Sequence, residues 1–175
     1  MAPAPHPPQF AELLQTLTEH GVAFVLVGGG AAVLAGAWQS TDDLDIVPDL
    51  TEPNLGRLLA ALEAIDAVYL DPSGRTIRPD RSRLQTFRIN LLRTRLGRLD
   101  VLREIGDHLG FAELLSRSVV YDLGPARVRA ADLETLIAAK EIAGREKDRA
   151  HLAVLRETLR LQRLLPPSTD EPASD

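Results

Sequence analysis

The stretch that decides the fold runs Gly21-Val22-Ala23-Phe24-Val25-Leu26-Val27-Gly28-Gly29-Gly30, followed further on by Asp43-Leu44-Asp45-Ile46-Val47-Pro48. Its first part is a short continuous apolar run rich in β-branched residues and bounded by glycines, the pattern of a buried strand. Gly28, Gly29 and Gly30 end that strand, and Ala31-Ala32-Val33-Leu34-Ala35 behind them favours helix. Glycines at a strand-to-helix turn leave backbone N–H groups free, and such a place binds anions, phosphates above all. In the second part Leu44 and Ile46 alternate with Asp43 and Asp45, so two carboxylates project from one face while the apolar pair enters the core. Side-by-side carboxylates repel, which raises one pKa unless a cation intervenes. Hard divalent ions are bound through one or two carboxylates plus substrate phosphates.

Gly28-Gly29, a gap of thirteen residues and then Asp43-Leu44-Asp45-Ile46 resembles the signature of the DNA-polymerase-β-like nucleotidyltransferases. A third carboxylate on a later strand belongs to that pattern. Its match is Asp100, in the extended run Gly97-Arg98-Leu99-Asp100-Val101-Leu102. Leu136-Ile137-Ala138-Ala139-Lys140-Glu141-Ile142-Ala143-Gly144-Arg145-Glu146-Lys147-Asp148 further resembles the AbiEii and MenT-type toxin branch, with its helical lysine, Gly-Arg and Lys-Asp. Three specific patches carry the resemblance, spread over residues 20–155. One departure stands out: where many relatives have arginine ahead of the first aspartate, this chain reads Gln39-Ser40-Thr41-Asp42, removing a positive charge and adding a negative one.

The resemblance implies an α/β (α+β) fold: a short mixed β-sheet of nucleotidyltransferase type, its three aspartates at one edge, flanked by helices and closed by a small C-terminal helical unit. The expected divisions are a core over 10–130, a helical unit over 131–165 and disordered tails over 1–9 and 166–175. It implies a metal-dependent transfer of NMP from an NTP to an acceptor hydroxyl. Two Mg²⁺ ions, or Mn²⁺ in their place, would sit on Asp43, Asp45 and Asp100, with Asp100 as third ligand or general base. Gly28, Gly29 and Ser40 would contact phosphates, Lys140 a phosphate or ribose, and Asp148 the nucleotide. The implied acceptor is RNA, a tRNA 3′ end, and the implied partner a cognate antitoxin protein.

Two other readings remain open. A small-molecule nucleotidyltransferase of the aminoglycoside-modifying type would use the same triad, and a non-catalytic binding protein would keep the fold alone. A dinucleotide fingerprint fails because Val33 stands where glycine or alanine is needed, and a P-loop fails for want of Gly-Lys-Ser/Thr. Lys140 also fits a side chain that snorkels to water between apolar neighbours. Arg145, Lys147 and Asp148 also fit a solvated helix start, where the dipole favours the acid. His6, His20, His108 and His151 show no ligand spacing. Trp38 is expected in the core or on a rim, where an aromatic near the site can stack on a base.

With 175 residues, 45% of them hydrophobic and 26% charged, the composition is that of an ordinary globular domain. No apolar run is long enough to cross a membrane and the amino terminus is not basic-then-apolar, so cytoplasmic residence is expected. The absence of cysteine excludes disulfides, thiolate catalysis and cysteine-ligated zinc. A net charge of -5 argues against a general nucleic-acid coat. Yet between Ser73 and Arg103 nine arginines, Arg75, Arg78, Arg81, Arg83, Arg88, Arg93, Arg95, Arg98 and Arg103, face only Asp80 and Asp100. That is either a basic patch for a polyanion or a solvated, arginine-rich surface.

Periodicity predicts helices over Phe10–His20, from the glycines to about Gly36, over Glu52–Ile65 with Thr51 as cap and Pro53 in the first turn, and briefly over Phe111–Leu115. Two more are predicted over Ala131–Ala143 and Glu146–Leu164. Strands are predicted at Ala67–Leu70, Ser118–Leu123 and Arg127–Arg129. A loop is expected as far as Arg83, then a hairpin of Leu84–Leu92 with Arg98–Arg103.

Overall fold

The computed structural model describes residues 9–146 and 148–165. Residues 1–8 and 166–175, where disorder is expected, lie outside the described residues, as does Lys147. Gln9 is tied down, its N–H donating to the Leu96 carbonyl at 2.8 Å.

The chain runs α1 (Phe10–Glu19), β1 (Phe24–Val27), α2 (Gly28–Leu34), β2 (Asp43–Pro48), α3 (Asn54–Ala64), β3 (Val68–Tyr69) and α4 (Arg81–Thr86). It continues through β4 (Ile89–Thr94), β5 (Gly97–Leu102), α5 (Phe111–Leu115), β6 (Ser118–Asp122), β7 (Arg127–Ala131), α6 (Leu133–Ala143) and α7 (Asp148–Leu164). The strands form one seven-stranded mixed sheet in the order β3-β4-β5-β2-β1-β7-β6. Pairs β2/β5 and β1/β7 are parallel, and the others are antiparallel.

All four residues of β1 are buried, as a continuous apolar run predicts. Helix α1 lays Leu13, Leu14 and Leu17 on the core, which joins the inner faces of β1, β2 and β5 to Leu55, Leu58 and Leu62 of α3. One buried polar side chain fixes that helix. The Asn54 carbonyl accepts from Ala23 N–H at 2.7 Å, while its amide donates to the Ala23 and Asp49 carbonyls at 2.9 and 2.7 Å. The cap expected from Thr51 is not made: its N–H and hydroxyl both bond the Asp49 carboxylate, and Pro53, expected in the first turn, is the N-cap residue.

The segment expected to be loop and then strand contains a helix instead. The Asp80 carboxylate accepts from Arg83 N–H at 2.9 Å, nucleating α4, and Leu84, expected in the hairpin, is buried beneath it. The hairpin begins at Ile89 and closes through Thr94, whose hydroxyl donates to Gly97 O at 2.8 Å. Asp132 caps α6 by accepting from Thr135 N–H at 2.8 Å, so Ala131, expected in that helix, belongs to β7. Gly144, at φ +60°, ends α6 in the left-handed conformation that favours glycine. No helix among the described residues is long and apolar enough to cross a membrane.

Candidate active site

The antiparallel register of β1 with β2 sets Val27 opposite Asp45, so the residue that leaves β1 must turn over a carboxylate. Gly28 does so at φ +63°, and a Cβ there would lie 2.2 Å from Asp45 Oδ2. At Gly29 a Cβ would lie 2.7 Å from Thr41 Oγ1. Both glycines are therefore demanded by side chains on or leading into β2, because only a residue without a Cβ lets those groups rest on the backbone. Thr41, which sequence reasoning does not single out, donates its hydroxyl to the Asp43 carbonyl at 2.7 Å and fixes the approach to the first aspartate.

The parallel register of β2 with β5 sets Asp45 beside Asp100 and Asp43 beside Arg98. All four side chains thus share one face, on two inner strands and not at an edge of the sheet as expected. Asp100 is 7% exposed and its Oδ1 has no hydrogen-bond partner. Burial, then the charges of Asp43 and Asp100, push the Asp45 carboxyl from 3.8 to about 7, against the pull of Lys140 and Arg98. Burial and then Asp43 push Asp100 to about 6, opposed by Arg98. The Arg98 guanidinium stands 3.8 Å from Asp43 and 4.0 Å from Asp100. Its position two residues before Asp100 in an extended run was the signal that it shares the aspartates' face.

The C-terminal helices close the cleft. Lys140, in the last turn of α6, donates to Asp148, in the first turn of α7, at 3.0 Å, with side chains only 20% and 10% exposed. The snorkelling alternative for Lys140 gives way to this pair, which borders the aspartates. The cleft has two hollows, of about 680 and 470 Å³, that share Gly28, Asp45, Ile89, Leu102, Lys140, Arg145 and Asp148. The larger is polar and takes in Gly29, Ser40, Thr41, Asp43, Asp100 and His151. The smaller has a wall of Ile89, Leu102, Ile105, Leu136 and Ile142. Every residue predicted for the site borders one hollow or both, with Ser40 on the polar rim. Trp38, expected in the core or on a rim, is 95% exposed on the segment between α2 and β2.

No protein-family model matches the sequence, and no curated protein matches it. Solved structures do. A lincosamide antibiotic adenylyltransferase, LnuA, bound to lincomycin, is 15% identical and superimposes with a TM-score of 0.58 over 86% of this chain and 96% of its own. The antibiotic-resistance factor ANT(2″)-Ia in solution is 16% identical, with a TM-score of 0.55 over 88% of this chain and 82% of its own. The same protein in complex with adenylyl-2″-tobramycin gives 16%, 0.54, 89% and 90%. The fold is of the nucleotidyltransferase type.

Nucleotidyltransferase folds invite a test of whether these residues suit a divalent metal. Among the described residues no group of three metal-ligating side chains stands arranged to hold an ion by itself. The donor set nevertheless fits a hard cation of the Mg²⁺ kind. Two carboxylates are adjacent by register, a third lies two residues along β2, and a buried oxygen on Asp100 lacks any donor. Such cations take one or two carboxylates and complete their shell with substrate phosphates and water, so an all-protein cage is not required. Arg98 meanwhile supplies the positive charge between Asp43 and Asp100.

Proposed function

We propose that the protein transfers a nucleoside monophosphate from a nucleoside triphosphate to a hydroxyl of a small organic molecule. The observation that carries this is the pairing of Asp45 with Asp100 under the Gly28 turn, with the Asp100 Oδ1 oxygen buried and free to accept. The triphosphate lies in the polar hollow, where the backbone of Gly28 and Gly29 and the Ser40 rim receive its oxygens. Asp43, Asp45 and Asp100 would hold a divalent cation, which would supply Lewis-acid charge to the transfer when bound. Asp100, whose buried Oδ1 has no hydrogen-bond donor, takes the proton of the acceptor hydroxyl. The acceptor oxygen forms a bond to the α-phosphorus in line with the departing β-phosphate oxygen, that bond breaks, and pyrophosphate leaves. Arg98 and Arg145, both bordering the polar hollow, offset the charge that develops. Lys140, oriented by Asp148, holds positive potential over Asp45.

A small acceptor is favoured over RNA for two reasons. Five of the nine arginines that formed the basic patch, Arg75, Arg81, Arg83, Arg88 and Arg98, are in ion pairs with Asp71, Glu52, Asp80, Glu104 and the site aspartates. These pairs offset more than half of the patch and leave Arg78, Arg93, Arg95 and Arg103 for a polyanion. The solved neighbours hold an antibiotic or an adenylylated antibiotic, and neither is described as a toxin.

The test is to incubate the protein and its Asp45→Asn variant with each α-labelled nucleoside triphosphate, Mg²⁺, and either a panel of hydroxylated antibiotics or total tRNA. Label on a small molecule, lost in the variant, is expected. Label on tRNA alone would return the RNA reading, and label equal in the variant would remove Asp45 from the chemistry.

A further inference from the structure

The register that joins Asp45 to Asp100 on one side of β5 joins Asp100 to Leu91 of β4 on the other. Directly opposed residues bring their side chains to about 5 Å. The glycine turn and β2 lie on the far side of Asp100 from β4, so phosphates held there leave the β4 side for the acceptor. A hydroxyl that reaches the site beside Asp100 from that side therefore rests against Leu91. One rung along, Ile89 opposes Leu102. On strand β4 Asn90 is buried at 1%, while Ile89 and Leu91 are 48% and 41% exposed. Exposed aliphatic side chains beside a carboxylate are costly to keep wet; Leu91 borders the larger hollow next to Asp100 and Ile89 borders both, so the pair leads from Asp100 into the smaller one. In the other direction the strip ends where Arg93 opposes Arg98, whose guanidinium is paired with Asp43 and Asp100.

From this arrangement, and resting on the nucleotidyl-transfer reading above, we infer that the acceptor is a compact hydroxylated molecule with an apolar face. Leu91 and Ile89 are the side chains that select it. A hollow of about 470 Å³ suits a drug-sized body.

The experiment uses the full chain with Mg²⁺ and α-labelled ATP against three probes: lincomycin for its alkyl-bearing face, tobramycin as a polycation without one, and total tRNA. Leu91→Ser and Ile89→Ser are assayed beside the wild type, with KM measured separately for acceptor and ATP. Both positions are exposed, so the folded state should tolerate either change, and circular dichroism checks it. Expected are a kcat/KM at least tenfold higher for lincomycin than for tobramycin, and an acceptor KM raised about tenfold or more in each variant with the ATP KM unchanged. Preference for tobramycin or tRNA, or an acceptor KM indifferent to both substitutions, overturns the assignment. If Mg²⁺–ATP binds and no probe is labelled, the acceptor assignment falls alone. If Mg²⁺–ATP does not bind, the nucleotidyl-transfer reading falls and takes this one with it.

Discussion

Replacing Asp45 by Asn removes one of three crowded carboxylates without changing its size, and should stabilise the metal-free protein at alkaline pH. In the folded chain, burial and the charges of Asp43 and Asp100 raise this carboxyl from 3.8 to about 7. The folded state therefore holds the proton more tightly than the unfolded chain. The stability this lends is complete below about pH 4 and is lost as pH rises through about 7. At 1.36 kcal/mol per pKa unit the whole loss is about 4 kcal/mol, and water reaching the open cleft should reduce it to about 2. Asparagine cannot ionise, so the variant escapes that loss. Asp100 is raised to about 6 chiefly by burial and then by Asp43, and because its repulsion with Asp45 is mutual, neutralising Asp45 eases its ionisation and adds to the variant's advantage. Urea unfolding in a chelator should show the variant more stable by about 2 kcal/mol near pH 8, with the gap closing near pH 4. Excess Mg²⁺ should then stabilise the wild type near pH 8 and leave the variant little changed. A variant less stable than wild type at alkaline pH, or a gap that ignores pH, would refute the electrostatic account and make Asp45 a structural acceptor.

Gly28→Ala should be costly twice. The left-handed φ of +63° costs alanine about 1–2 kcal/mol, and its Cβ must displace the Asp45 carboxylate from 2.2 Å. Mg²⁺-dependent nucleotide transfer should fall about 100-fold, and activity near wild type would show that the turn does not position Asp45. Asp148→Ala leaves the Lys140 ammonium largely buried without its partner and should destabilise by about 2–3 kcal/mol. The double change Lys140→Met/Asp148→Leu should regain most of that in thermal unfolding, and a double variant as unstable as the single would mean the pair acts through packing. Trp38 is the only tryptophan and lies 95% exposed. Its fluorescence should be fully open to acrylamide quenching in the free protein, and a protected, blue-shifted emission would contradict its placement.

The central part of this architecture was legible because its signals are local. A four-residue buried strand ending in glycine, and an alternating Asp-Leu-Asp-Ile, each announce face and burial from adjacent residues alone. Asp100 was marked by the family resemblance, which asks for a third carboxylate on a later strand, while its neighbours showed only that the run is extended. What escaped depends on partners distant in sequence. The parallel docking of β5 beside β2 joins segments some fifty residues apart, so the aspartates were expected at an edge and stand on inner strands. The arginine-rich stretch read as a basic patch because its carboxylates, Glu52, Asp71 and Glu104, come from outside the counted window. Helix α4 was missed because its cap at Asp80 lies within charged residues, and the single buried Leu84 gives no periodicity. In β4 the run Ile-Asn-Leu-Leu leaves two ways to alternate, and only pairing with β5 shows that asparagine goes in and Ile89 and Leu91 stay out.

The glycine pair and the aspartate pair are usually read as two motifs at a characteristic spacing, one for phosphate and one for metal. The contacts make them a single packing unit. Because β1 and β2 run antiparallel with Val27 opposite Asp45, the first residue beyond β1 necessarily crosses the second aspartate, and the next crosses Thr41. A side chain at either place would push a β2 group off the face it shares with Asp100. The glycines would thus be required for the carboxylates' geometry even if they touched no phosphate. This separates two effects that loss of activity in a glycine variant would confound. In Gly29→Ala the added Cβ would meet the Thr41 hydroxyl, which leans on Asp43 and not on Asp45. That substitution should disturb the first aspartate and spare the second, so its alkaline stability should stay sensitive to Asp45→Asn where that of Gly28→Ala does not.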